Sequence, residues 1–333
     1  MGAMIMNARR IWVAGHRGMV GSAIARQLEK RGDIVLKVDR GVVDLRNQIA
    51  IELWLKQNRP DAVIFAAAKV GGIGANSAFP ADFIYDNLAI ESNVIHSAHA
   101  AEIDRLVFLG SSCVYPKSAP QPIKEEALLE GPLEPTNEWY SIAKIVGIKL
   151  CQAYRKQYGR HYVSIIPCNL YGPKDNFELS TCHVLPALIS KFHAAKVNRD
   201  RQVIVWGTGK PLREFLHVDD LARGVVKCLD SYDGYVPINC GAGEEISISG
   251  IAEMIARIVG FEGSVVYDST KPDGVARKLM DSNRLRAIGW KPEISLEDGL
   301  ASTYKWALEN KAVGFHRSES DFIGDDFGFQ WEV

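Results

Sequence analysis

"IWVAGHRGMVGSAIARQL", residues 11–28, runs from an apolar stretch through three glycines into an amphipathic one. Ile11–Ala14 has the pattern of a buried strand and Ser22–Leu28 that of a helix. Between them Gly15, Gly18 and Gly21 make a G-x-x-G-x-x-G spacing, not the G-x-G-x-x-G of the widespread dinucleotide fingerprint. The spacing alone fits an ordinary tight turn as well as a phosphate cradle. The flanking strand and helix favour the cradle, because a phosphate rests on a helix N-terminus only where glycine lets backbone come close. On this reading Gly15, His16, Arg17, Gly18, Met19, Val20 and Gly21 line a bound dinucleotide.

The rest of the first half repeats the alternation. Ile34–Val38, Ala62–Ala66, Arg105–Leu109 and Tyr162–Pro167 read as short strands, with crossover helices at Gln48–Gln57, Ala81–Ala101 and Trp139–Tyr158. Such alternation predicts an α/β fold, a Rossmann-type doubly wound parallel sheet. After about Gly172 the pattern loosens into "VIVWGTGKPLREF" and helices near Val218–Ser231, Ser247–Val259 and Leu296–Asn310. A smaller α/β C-terminal substrate lobe is expected there. The expected division is a dinucleotide-binding domain over residues 4–175, with about 214–245 returning to it, and a substrate-binding lobe over 176–213 and 246–333.

Composition narrows the partners. Of 333 residues 47% are apolar and 24% charged, enough to bury a large core, and 39 Lys plus Arg balance 40 Asp plus Glu. No global field draws the chain to nucleic acid or an anionic membrane, so anions must be bound locally. No stretch reaches a membrane span, and "MGAMIMNARR" lacks the core of a signal peptide, so a cytoplasmic location is expected, with Met1–Ala3 read as a cloning remnant. Cys113, Cys151, Cys168, Cys182, Cys228 and Cys240 show no C-x-x-C spacing, which fits reduced thiols, with no disulfide framework and no metal site.

Asp39 lies 18 residues past Gly21, at the end of the second strand, where a carboxylate accepts from ribose hydroxyls and favours NAD. Arg40 beside it and Arg17 in the glycine loop suit a ribose 2′-phosphate and favour NADP. Two arginines flanking one expected position tip the reading to NADP (NADPH). Asp44 has two readings, a contact to adenine or a surface turn.

The chemistry enters with "LGSSCVY" after the fourth strand and "EWYSIAKI" beyond it. Tyr140, 29 residues past Ser111, and Lys144 stand at i and i+4 on one helix face. Lys144 can lower the phenol's pKa and hold the nicotinamide ribose, while Tyr140 exchanges a proton with a carbonyl or alcohol oxygen that Ser111 also binds.

With the glycine loop, Ser111, Tyr140 and Lys144 in place, the chain resembles the extended short-chain dehydrogenase/reductase family over nearly its whole length. Most members act on nucleotide sugars. The motifs "AGHRGMVGSAI" (Ala14–Ile24), "AAKVGGI" (Ala67–Ile73), "LGSSCVYPK" (Leu109–Lys117), "NLYGPKDNF" (Asn169–Phe177), "HVLPALI" (His183–Ile189), "REFLHVDD" (Arg213–Asp220) and "KPDGVARKLMD" (Lys271–Asp281) are similar to those of one branch of it. That branch epimerises GDP-4-keto-6-deoxy-D-mannose at carbons 3 and 5 and then reduces the 4-ketone with NADPH. The alternatives are another nucleotide-sugar 4-reductase or epimerase of the family, or a non-catalytic NADP-sensing protein, which usually lacks the tyrosine or lysine present here.

The resemblance implies further roles. Related dehydratases carry Asp-Glu directly before Val-Tyr, where this chain has Ser112 and Cys113. A thiolate can take an acidic proton α to a ketone, so Cys113 is the candidate base and His183 the companion acid on the opposite ring face. Leu109, Gly110, Ser111, Ser112, Pro167, Cys168, Asn169, Leu170 and His183 would line the cofactor's nicotinamide end, with Asn169 and Asn176 helping to position the sugar or the nicotinamide. Lys191, Trp206, Arg213 and Lys278 match the family's GDP-sugar contacts, two cation types and an aromatic face suited to a sugar diphosphate. One departure stands: the family's arginine-rich stretch after the second strand is here "KVDRGVVD". The family also implies a homodimer formed by the helices at Ala81–Ala101 and Trp139–Tyr158.

Overall fold

The computed structural model describes residues 8–313 apart from 179, 180, 272 and 274. Met1–Ala3 and residues 314–333 of the expected lobe therefore lie outside the described residues, as do Pro272 and Gly274 of the last motif. The strands are β1 (Arg10–Ala14), β2 (Ile34–Leu36), β3 (Ala62–Phe65), β4 (Arg105–Leu109), β5 (His161–Pro167), β6 (Asn169–Tyr171), β7 (Gln202–Trp206), β8 (Leu212–Arg213), β9 (Phe215–His217), β10 (Ile238–Cys240), β11 (Ile246–Ser247), β12 (Ser264–Asp268) and β13 (Arg277–Lys278). The helices are α1 (Met19–Arg31), α2 (Gln48–Asn58), α3 (Ile73–Ala78), α4 (Pro80–Ala100), α5 (Glu138–Tyr158), α6 (Val184–Asn198), α7 (Val218–Ser231), α8 (Ile248–Val259), α9 (Asn283–Ala287) and α10 (Leu296–Glu309).

Six strands form one parallel sheet in the order β10-β5-β4-β3-β1-β2. Ile11, Trp12 and Val13 are wholly buried in it, as the unbroken apolar run requires of a strand covered on both faces. Helices α2, α4 and α5 pack in a row, and α1 packs with α7, which is the doubly wound arrangement expected. The chain leaves β1 toward β2 on one side and later builds β3 to β5 on the other. A crevice opens at that reversal, beyond the carboxyl ends of β1 and β3.

Two differences from the expected elements bear on the site. β2 ends at Leu36, two residues early, because the next residues turn toward the crevice. A sixth strand, β10, had no signal in the periodicity, being three residues with an asparagine at its centre. The Asn239 side chain is satisfied there, donating to the Ile123 and Asp281 carbonyls at 3.0 and 3.1 Å and accepting from Tyr115 Oη at 2.6 Å. A second core, drawing on Tyr171, Leu185, Phe192, Val205, Ile251 and Leu300, gathers α6, α8, α10 and β7, while Met280, Leu285 and Trp290 pack into the first.

Two glycines join β1 to α1. A Cβ on Gly21 would overlap the Gly15 carbonyl, whereas one on Gly18 would rest 3.6 Å from that oxygen, in ordinary contact. Gly21→Ala is therefore expected to lower the unfolding free energy by about 1–3 kcal/mol, the usual cost of overpacking. Gly18→Ala, at an N-cap with extended backbone, should stay within about 1 kcal/mol of the parent. Urea denaturation of the two variants checks the contrast.

Candidate active site

The crevice is a pocket of about 560 Å³ built from the turns that follow β1, β2 and β3: Gly15–Gly18, Val38–Arg40 and Ala67–Lys69. Gly15 carries φ +91°, and a Cβ there would come within 2.7–2.9 Å of the Ala66–Ala67 backbone, so these turns approach as only glycine allows. No side chain caps α1 at Gly18, which lines the pocket, so the amides of the helix's first turn, Met19, Val20 and Gly21, are left for a partner from outside the helix. This cradle fits a pyrophosphate.

The residues that argued for opposite cofactors touch each other. Arg17 Nη2 donates to Asp39 Oδ2 at 2.5 Å, and His16 Nε2 is 3.3 Å from Oδ1. Arg40 is largely exposed, 3.7 Å from Asp44. Asp44 lines the pocket and accepts from Arg46 at 2.7 Å, which holds its carboxyl down at about 2. Arg46 reaches on to Asp86 at 3.2 Å, and Lys69 donates to Asp86 at 2.9 Å and Asp82 at 3.1 Å. Sequence reasoning missed Arg46, Lys69 and Asp86. Only "AAKVGGI" pointed at any of them, since its lysine follows a strand at the crevice.

At the end of β4, Ser111 caps a 3-10 turn, Ser112–Val114, its Oγ 3.5 Å from the Cys113 amide. The turn buries both Ser112 and Cys113. Gly110 N donates to Ile165 O at 2.8 Å, which ties Leu109–Gly110 to β5 and its last residue, Pro167. Tyr140 and Lys144 lie one turn apart on α5, with the ammonium 5.8 Å from the phenol ring centroid and 4.7 Å from that of Phe108. Cys113 is close enough to Tyr140 to act on it electrostatically, so the thiol and the phenol share one site.

The expected lowering of the phenol's pKa is not what the structure gives. Burial pushes the Tyr140 hydroxyl well above its ordinary range, and the charges of Cys113 and Glu91 push the same way. Burial is the leading cause, and Lys144 does not face Tyr140 alone: its Nζ is 3.2 Å from Oε1 of Glu91, a buried residue of α4 that sequence reasoning missed. An amphipathic helix gives no sign of which inward carboxylate meets a lysine on a neighbour.

The substrate-side residues form two groups. Lys191 on α6 reaches the Ile204 carbonyl at 3.4 Å and stands 5.7 Å from the Trp206 ring, which Lys271, unforeseen, approaches at 5.1 Å. Burial lowers the Lys191 pKa. Lys278 on β13 pairs with Arg213 on β8, a buried arginine whose Nη1 donates to Leu212 O at 2.7 Å. His183 is exposed at the N-cap position of α6, in a segment that Gly72 N binds through Thr181 O at 3.2 Å. Asn169 Nδ2 donates to Glu214 O at 3.3 Å, Leu170 continues β6, and the Cys168 thiol, pushed up by burial, contacts the Asn169 carbonyl at 3.6 Å. Asn176 spends its side chain closing its own loop, donating to Thr181 Oγ1 at 2.8 Å. All six cysteines are buried. Among the described residues no three His, Cys, Asp or Glu gather as a metal site, and no helix is long and apolar enough to cross a membrane.

Residues 11–241 match the family model "NAD dependent epimerase/dehydratase family". The chain belongs to that family. It is 56% identical to GDP-L-fucose synthase 1 of Arabidopsis thaliana, over 92% of this chain and 96% of that one. It is 52% identical to the GDP-L-fucose synthase of Escherichia coli K12, over 92% and 98%. Among solved structures, a GDP-L-fucose synthetase from Naegleria fowleri bound to NADP superposes with a TM-score of 0.85 at 29% identity, over 93% of this chain and 97% of that one.

Glu214, adjacent to Arg213, gives the site region a pH dependence. It is fully buried, accepts from Gly243 N at 2.7 Å and Met280 N at 3.1 Å, and burial raises its carboxyl from an ordinary 4.5 to about 7. A raised folded-state pKa adds stability that is complete below the unfolded value and is lost as pH rises through the folded one. The unfolding free energy is expected to decline between about pH 4.5 and 7, this group contributing up to about 3 kcal/mol. Glu214→Gln should flatten that decline in urea titrations across the window.

Proposed function

We propose that this protein is a GDP-L-fucose synthase, converting GDP-4-keto-6-deoxy-D-mannose to GDP-L-fucose by epimerisation at carbons 3 and 5 and reduction of the 4-ketone with NADPH. The observation that carries the reading is a buried thiol, Cys113, in electrostatic contact with a half-buried phenol, Tyr140, that desolvation of its hydroxyl keeps protonated. The first chemistry needs a base for carbon acids and the second a proton donor, and the identity to named synthases along most of the chain supports combining them.

Cys113 takes the protons α to the ketone at carbons 3 and 5, and His183 returns protons on the other face, so the proton count is unchanged. Ser111 and Tyr140 then hold the 4-oxygen and Tyr140, in its protonated form, donates to it. NADPH, when bound, supplies the hydride. Gly15, His16, Arg17, Gly18, Met19, Val20 and Gly21 would hold its pyrophosphate, and Arg17 and Arg40 its 2′-phosphate. Leu109, Gly110, Ser112, Pro167, Cys168, Asn169 and Leu170 would line its nicotinamide end, and Lys144 would bind the ribose. Lys191, Trp206, Arg213 and Lys278 would hold the GDP moiety, two of them already beside each other on β8 and β13. The same reading places the protein in the cytoplasm as a homodimer joined through α4 and α5, where Tyr85 and Trp139 leave apolar surface exposed.

NADPH is expected to give a higher specificity constant than NADH, and Arg40→Ala to narrow the ratio by about tenfold, the worth of one charged hydrogen bond. A clear preference of the parent protein for NADH in steady-state assays would mean that Asp39 sets the choice.

Substrate incubated in heavy water separates the two chemistries. Cys113→Ser should bind NADPH normally yet fail to exchange deuterium into carbons 3 and 5, since a hydroxyl is a far weaker acid than a thiol. Tyr140→Phe should exchange both positions while reduction falls by roughly two to four orders of magnitude. Mass spectrometry of the sugar nucleotide reads both, and wild-type exchange in Cys113→Ser would remove the thiol from its role.

A further inference from the structure

One buried charge beside the proposed proton donor has no task in the reaction as described. Glu91, midway along α4, is 0% exposed, and its Oε1 lies 3.2 Å from the ammonium of Lys144, itself 3% exposed. The neighbouring helix is built around the pair. At Gly147, one turn past Lys144, a Cβ would stand 2.8 Å from Glu91 Oε2 and overlap the Phe108 ring, so α5 carries no side chain where the carboxylate sits. Phe108 forms the other wall, its ring centroid 4.7 Å from the ammonium. Charged side chains are rarely buried this fully without a partner, and taking both ions out of water is costly. Contact between Lys144 and a cofactor ribose would not by itself call for a second charge beneath the first.

We propose that Glu91 is a positioning residue for the reduction: it fixes the Lys144 ammonium beside Tyr140 and offsets part of that ammonium's charge at the phenol. The inference rests on the reading of Tyr140 as proton donor and Lys144 as its neighbour in the site. An unpaired ammonium so close to a phenol favours phenolate, which cannot donate. Paired with a carboxylate, the same ammonium still offers hydrogen bonds but a weaker net field. The titratable groups within electrostatic reach of Glu91 are Lys144, Tyr140 and Cys151, all on α5, while Cys113 reaches the same phenol from the 3-10 turn. Burial raises the Glu91 carboxyl to about 7 against the pull of Lys144, and Glu91 in turn adds to the upward push on Tyr140.

The sign of the effect follows. Reduction needs the protonated phenol, so the rate falls as pH rises through the phenol's pKa, and removing the negative charge of Glu91 brings that fall to lower pH. The test is the pH profile of NADPH-dependent 4-ketone reduction by the full chain. Glu91→Gln, nearly isosteric, is expected to keep KM for both substrates within about threefold, to lose about tenfold in kcat and to shift the alkaline limb down by about one pH unit. Glu91→Asp, which keeps the charge, should return the limb to the parental position with kcat still reduced. A Glu91→Gln profile and kcat superimposable on the parent's would overturn the inference. Should Glu91→Gln not fold, Glu91→Asp decides: reduced kcat at unchanged KM supports positioning, and parental kcat and limb refute it. Tyr140→Phe run alongside separates the two claims. Its retention of parental reduction would bring down the reading of the donor, whereas its loss of activity with an unshifted Glu91→Gln profile brings down the role of Glu91 alone.

Discussion

The packing of Gly21 against the Gly15 carbonyl is the constraint on which the site depends. It lets α1 start directly over the end of β1, beside the turn after β3 and at the mouth of the crevice of about 560 Å³ that these turns line. Any side chain at Gly21 would push the helix away from the strand. The reversal of strand order between β1 and β3 then matters, because it keeps the gap open at the carboxyl edge of the sheet. Four further residues of the candidate site hang from the same edge, Ser111 and Cys113 after β4 and Pro167 and Cys168 at the end of β5.

Burial, more than charge, sets the acid–base character of the centre. Around the adenosine end the ion pairs are exposed, and such pairs add little to stability in water. Forty residues and more along the chain, the same kinds of side chain are enclosed by α4, α5 and β4, and desolvation leads the causes at Tyr140 and Glu91 alike. A Y-x-x-x-K spacing read alone implies a lysine that makes its tyrosine a stronger acid. Enclosure with a carboxylate reverses that implication, and the phenol is held in its protonated form.

The parts legible in the sequence were those encoded by local pattern. Periodicity placed β1, β3, β4 and β5 and helices α2, α4, α5, α7, α8 and α10 to within a residue at their ends, because buried parallel strands and amphipathic crossovers carry strong signals, while α1 runs three residues beyond the expected stretch at each end. The glycine loop and the pair Tyr140 and Lys144 were legible because their chemistry needs fixed spacing. Glu91, Arg46, Lys69 and Asp86 were not, since each gains its meaning from a residue far along the chain that folding brings to it. β10 escaped for a related reason: Asn239 looks unfit for a sheet centre until Ile123, Asp281 and Tyr115 arrive to satisfy it.

The same dependence on distant partners explains why the cofactor question stayed balanced in the sequence. Arg17, Arg40, Arg46 and Lys69 line the pocket with Asp39, Asp44, Asp82 and Asp86, and each of these cations already has a carboxylate within 4 Å. Counting residues therefore gives a tie, and an isolated Asp39 misleads, because its carboxylate is engaged by Arg17. A phosphate entering this pocket does not meet waiting charges; it exchanges places with carboxylates. The exchange is easiest where the existing pair is longest and most exposed, as for Arg40 at 3.7 Å from Asp44, and hardest where a short pair holds the acid firmly ionised, as Arg46 does for Asp44. Arg40 is thus the pocket cation freest to serve a 2′-phosphate, and it is so by virtue of Arg46, which occupies the carboxylate that would otherwise hold it.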